Sequence, residues 1–174
     1  MKIQNIGHGF QKDLSGKRFK IIFIAITAFL FFQCTDNKNE IDDQPPVIDI
    51  SSKDAFPKNC DTLHTGESFV FRALFTDNME LGSFNIDVHH NFDHHSHSTE
   101  VIECQLSPKK EPFNPWLFIN KYDIPEGLKE YLAEVEIDVP DDVDPGDYHF
   151  MVKVTDAEGW QALKGLSIKV MDGK

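Results

Sequence analysis

The sequence predicts an all-β chain, an antiparallel sandwich that follows an N-terminal export signal and a tether. Two observations carry the fold class. Short runs with period-two alternation recur between residues 47 and 170, with turn residues between them. No stretch of that region carries a sustained helical apolar period. A third observation sets the boundary. Residues 1–46 run from basic to apolar to polar and end in Pro45-Pro46.

Lys2, Lys12, Lys17, Arg18 and Lys20 lead into the apolar run Ile21–Phe32. That run is too short for a membrane span, which needs roughly 20 residues, and suits the core of a secretory signal. Cys34 follows at once. This order resembles a bacterial lipoprotein signal. The resemblance implies a signal peptide over residues 1–33 and lipidation of Cys34. The competing reading is an uncleaved membrane anchor or a coincidental cysteine. Both readings put the bulk of the chain outside the cytoplasm. Residues 34–46 are then a flexible tether, polar and acidic until the two prolines stiffen it.

The sandwich is expected over residues 47–172. Val47–Ser51 is its first short strand. In Ser68–Thr76, Phe69, Phe71, Ala73 and Phe75 share one face. Asp77-Asn78 marks a turn. In Ser83–His90, Phe84, Ile86 and Val88 point one way, and Asn85, Asp87 and His89 the other. Thr99–Leu106 is a further strand candidate. An irregular insertion near 107–128 holds Pro108, Pro112, Pro115, Pro125 and Gly127, and Trp116, Leu117, Phe118 and Ile119 should pin it to the core. Tyr131–Val139, Asp147–Thr155 and Leu163–Val170 complete about seven strands. The expected core includes Phe69, Phe71, Ile86, Val88, Tyr148, Phe150 and Val152.

The segment Asp144–Gly159 contains Gly146-Asp147-Tyr148 and then Asp156-Ala157-Glu158-Gly159. It is similar to the penultimate strand and turn of bacterial immunoglobulin-like and cadherin-like domains. The resemblance implies an immunoglobulin-like β-sandwich with Tyr148 in the tyrosine corner. The whole layout, with Asp77-Asn78-Met79-Glu80-Leu81 followed by the histidine-rich Ile86–His97, resembles small Bacteroidetes lipoproteins of unassigned function. That resemblance covers residues 45–172. It implies an outer-membrane lipoprotein of the cell envelope, facing the periplasm or the surface, and suggests metal handling. It offers no reaction.

Five histidines fall in one short run: His89, His90, His94, His95 and His97. Imidazole is the commonest protein metal ligand, and His-rich tracts are a compositional metal signal. In an immunoglobulin-type sheet the strands Ser83–His90 and Asp147–Thr155 are neighbours. Alternation turns Asp87 and His89 outward on one, and His149 and Met151 outward on the other. His149 should then meet His89 across the sheet, with His94, His95 or His97 folded over the same patch. The expected metal residues are His89, His94, His95, His97, His149 and Asp87, with Asn91 and Asp93 orienting the rings. The cofactor is a transition metal, zinc or copper, with nickel also compatible with imidazole. A solvated polar loop and a pH sensor are the competing readings of the same residues.

The chain carries a formal charge of −12. Removal of residues 1–33 leaves 12 Lys/Arg against 28 Asp/Glu, a charge of −16. Such a surface repels nucleic acid and attracts cations, although solubility alone accounts for it equally well. Cys60 and Cys104 remain, and an oxidising compartment permits a bridge between them. The alternative is a Cys104 thiolate ligand close to His97. No His-Glu-x-x-His, Gly-x-Ser-x-Gly or glycine-rich phosphate loop occurs, so no enzyme is expected. The expected function is metal binding at the envelope, as an accessory to uptake or handling, with the membrane and an outer-membrane transporter or other envelope protein as partners. The alternative is an adhesive module that binds glycans or proteins, in which Trp116 and Trp160 would stack on sugars; core or edge packing is the competing reading of both tryptophans.

Overall fold

The protein is described here by a computed structural model over residues 41–173. Residues 1–40, which hold the expected signal, Cys34 and the first part of the expected tether, lie outside the described residues, as does Lys174. Within them the chain forms eight strands and no helix: β1 (Val47–Asp49), β2 (Thr62–His64), β3 (Ser68–Thr76), β4 (Leu81–His90), β5 (Phe118–Asp123), β6 (Glu130–Asp138), β7 (Gly146–Asp156) and β8 (Gln161–Met171). They pair as a three-stranded sheet, β1-β3-β6, and a five-stranded sheet, β2-β8-β7-β4-β5. All pairings are antiparallel except β2 with β8. This is the all-β sandwich that the alternating pattern predicts.

Period two decides which side chains meet. In β3, Phe71, Ala73 and Phe75 are buried while their neighbours are half-exposed or exposed. Opposite them on β6 stand Val135, Ala133 and Tyr131. The second sheet supplies Phe84, Ile86 and Val88 from β4, Tyr148, Phe150, Val152 and Val154 from β7, and Leu166, Ile168 and Val170 from β8. The Phe150 ring lies 5.6 Å from that of Phe71, across the two layers. Full burial of such side chains stabilises by about 1.5–3 kcal/mol each. Six of the seven expected core residues are buried, and Phe69 is half-buried against the cluster. At the corner, the Tyr148 hydroxyl donates to the Asp144 carbonyl at 2.6 Å and accepts from the Trp116 amide at 3.1 Å. Burial raises the Tyr148 pKa to about 12, so the phenol stays a donor.

Three local expectations differ from the structure. Thr99–Leu106 is not a strand. The edge of β8 that it would need is taken by β2, in a parallel pairing too short to show alternation. Residues 99–106 instead cross the outer face with Val101 and Ile102 exposed. The insertion near 107–128 contains a regular strand, β5, which pairs with β4. Its prolines bracket that strand rather than interrupt it. Trp116 and Phe118 do pin the insertion, but Leu117 and Ile119 face solvent, because alternation sends them to the other side.

Candidate metal centre

The ends of β4 and β7 place the histidines. Register pairs Asp87 with Met151, and His89 with His149. The His89 and His149 rings are 5.5 Å apart between centroids. After His90 the chain reverses. Asn91 accepts from the His94 amide at 3.2 Å, and His94 adopts φ 63°. Phe92, inside the histidine run, is the anchor of this reversal. It is buried, 5.3 Å from the Tyr148 ring and 4.9 Å from the His90 ring. The returning segment then lies over the outer face of β7 and β8. The Thr99 amide donates to the Gly165 carbonyl at 2.9 Å, and the Gly165 amide donates to Thr99 Oγ1 at 3.1 Å. Glu100 pairs with Lys164. Cys104 is disulfide-bonded to Cys60, so it is not a thiolate ligand.

Gly165 makes this crossing possible. A Cβ at that position would sit 2.2 Å from the His97 carbonyl oxygen and 3.0 Å from Met151 Sδ. The His97 backbone therefore occupies the space a side chain would need. Sequence reasoning missed Gly165. Its signal was a glycine inside an otherwise regular strand, which marks close approach of another backbone.

Under this cover, His89, His95 and His97 each offer one donor atom, and the three atoms lie within 4.8 Å of one another. His89 Nε2 and His97 Nδ1 are 3.2 Å apart. Two of the rings are oriented by carboxylates. His89 Nδ1 is 2.7 Å from Asp87 Oδ1, and His95 Nδ1 is 2.5 Å from Asp93 Oδ1. A carboxylate on Nδ1 selects the tautomer that carries its proton there, and so leaves Nε2 with a free lone pair. The hydrogen bond from His95 also holds the Asp93 carboxyl below the usual range. Asp87 and Asp93 thus act on rings rather than facing the donor cluster directly.

The remaining expected residues fall in different places. His149 packs against the trio, with ring centroids 5.0 Å from His95 and 5.3 Å from His97. Its Nε2 donates to the His95 carbonyl at 3.0 Å, which supports the loop from below. The histidine loop covers it, so this outward-facing side chain is only 1% exposed. Burial, reinforced by the neighbouring imidazoles, lowers its pKa to about 4. It is therefore neutral at pH 7 and adds no positive charge to the cluster. His94 is turned away, with Nε2 2.9 Å from the Ser107 carbonyl. Asn91 is buried, and its amide donates to the Asp147 carbonyl. Three imidazoles plus an open position suit a borderline transition metal such as zinc, and His97 is exposed at the mouth. Trp116 is buried, so it presents no face to a sugar, whereas Trp160 is 47% exposed.

The chain belongs to the family described as Domain of unknown function (DUF4625), which matches residues 32–171. No curated protein matches it. Among solved structures, it is similar to one described as the GspB Siglec domain, at 23% identity and a TM-score of 0.40, over 76% of this chain and 60% of that one. It is also similar to a family 123 glycoside hydrolase from Clostridium perfringens, at 13% identity and a TM-score of 0.40, over 75% of this chain and 28% of that one.

Proposed function

We propose that this member of the family is an exported, lipid-anchored binding protein for one transition-metal ion, zinc or copper. Its place is the cell envelope, where it would serve as an accessory to metal uptake or handling, beside an outer-membrane transporter or another envelope protein. The reading rests on one observation. Three imidazole donors converge, and two of them are already oriented by carboxylates. The disulfide and the net acidity agree with an exported cation binder. The open side of the trio favours an ion that enters and leaves over one sealed in place. We read the protein as non-enzymatic, because the sequence carries none of the catalytic motifs sought above.

The deciding experiment is a calorimetric titration of the metal-depleted full chain with zinc, copper, nickel and iron salts. One ion should bind per chain, and His89→Ala and His97→Ala should each abolish it. No heat with any of the four metals would remove the reading. The anchor is tested separately: Cys34→Ala should move the protein out of the membrane fraction, and retention there would refute lipidation. The second reading, an adhesive module, draws on the apolar side chains Phe113, Leu117 and Ile119, exposed at and beside the edge strand β5. Silence across all four metals would favour it.

A further inference from the structure

A second cluster of donors lies at the other end of β4 and β7. Asp77 follows the last residue of β3. Asp156 is the last residue of β7, paired in register with Leu81 at the start of β4. Asp42 lies in the segment that leads into β1. The three residues are far apart in sequence, yet each brings one carboxylate oxygen within 4.8 Å of the other two. From Asp156 to His149 the strand covers roughly 23 Å, so this cluster is separate from the histidines.

Each carboxylate is divided in the same way. Asp77 Oδ1 accepts from the amides of Met79 and Glu80, at 2.7 and 2.8 Å. Asp156 Oδ1 accepts from those of Gly159 and Trp160, at 2.6 and 2.8 Å. Asp42 Oδ1 accepts from that of Gln44 at 3.1 Å. In all three residues the other oxygen, Oδ2, is shut off from solvent and has no hydrogen-bond partner. Asp156 is 4% exposed and Asp42 9%. Among the described residues no lysine or arginine pairs with any of them. Buried, unpaired carboxylate oxygens are costly, and three facing one another are costlier still. One cation between them removes both penalties.

We propose that Asp42, Asp77 and Asp156 form a calcium site. The donors are all oxygen, which selects a hard cation. Calcium–oxygen distances are about 2.3–2.6 Å, so two ligands on opposite sides of the ion stand about 4.8 Å apart. The three donor oxygens lie within 4.8 Å of one another, close enough for one such ion to touch all of them. Magnesium demands a tighter shell and gives up water reluctantly, which fits a closed three-carboxylate pocket less well. Backbone carbonyls and water would complete the shell. The ion would join the β3–β4 turn and the β7–β8 turn to the segment before β1. Trp160 already holds that segment, since its Nε1 donates to the Asp42 carbonyl at 3.1 Å. Calcium would thus fix the point at which the chain enters the sandwich.

The test uses the full chain, stripped with a calcium chelator and then titrated with calcium chloride while binding and thermal unfolding are followed. One ion should bind, with a dissociation constant in or below the roughly 0.1–1 mM range of extracellular calcium modules. Tm should rise as it binds. Asp77→Asn and Asp42→Asn should each weaken binding at least about tenfold. Asp156→Asn keeps the acceptor for Gly159 and Trp160 and turns the unpaired oxygen into a donor. It should therefore raise the Tm of the stripped protein while abolishing the response to calcium. His97→Ala should bind calcium as wild type does. The proposal falls if wild type takes up no calcium at about ten times that range. It also falls if the three Asp→Asn variants bind like wild type, or if magnesium binds more tightly than calcium.

Discussion

Asp87 Oδ1 lies 2.7 Å from His89 Nδ1, two residues along the same outward face of β4. A strand sets this spacing, since residues i and i+2 project to one side. The carboxylate therefore fixes the ring without any contribution from the loop. Asp87→Asn keeps the shape and removes the charge. It should weaken metal binding by about 10–100-fold, as loss of an orienting carboxylate typically does. Unfolding of the metal-free variant should match wild type. Unchanged affinity would show that the ring is held by packing alone.

Gly165→Ala tests the support of the loop. The added Cβ meets the His97 carbonyl at 2.2 Å, and backbone there must move. Alanine in a strand is otherwise no worse than glycine. The variant should stay folded by circular dichroism and lose metal affinity by at least about tenfold, because a site displaced by about 1 Å no longer matches its ion. Wild-type affinity would mean that His97 is not held where the donors converge.

Asp144 sets a pH dependence. Burial pushes its carboxyl up, but amide donors from Phe113 and Asn114 and the nearby charges of Lys110 and His90 outweigh it, and the net shift is downward from 3.8. A lowered folded pKa gives stability that is present above the unfolded value and is lost as pH falls through the folded one. Wild type should therefore exceed Asp144→Asn in denaturant stability at about pH 6, and the gap should narrow at about pH 3. A gap that is constant across that range would exclude the charge as its source.

Phe150→Ala should destabilise the sandwich by about 3–5 kcal/mol. The ring is fully buried and lies against Phe69 and Phe71 of the facing sheet. Denaturant unfolding measures this, and a loss below about 1 kcal/mol would contradict the packing described.

The sandwich was legible because alternation is a local signal. Phe69 to Phe75 and Tyr148 to Val154 reveal their faces without knowledge of what lies opposite. The opposition of His89 and His149 followed from that alternation once the two strands were taken as neighbours. What stayed hidden depends on contacts between distant segments. His149 faces outward, yet it is buried because residues from the histidine loop lie over it. His94 is near the donors in sequence, but its positive φ aims it at Ser107. Asp77 and Asp156 each flank a turn, and the Oδ1 of each accepts from that turn's amides. Their second oxygens acquire meaning only when the fold brings them to Asp42.

The Cys60–Cys104 bond joins the middle of the covering segment to residues beside β2. The core beneath is built from apolar strands and involves neither sulfur. The bond therefore ties the covering segment to the β2 side of the sheet from outside the core, beyond the Thr99–Gly165 contacts that hold the histidine loop. Reduction of the bond would thus free the covering segment at Cys104 and leave the apolar core of the sandwich intact.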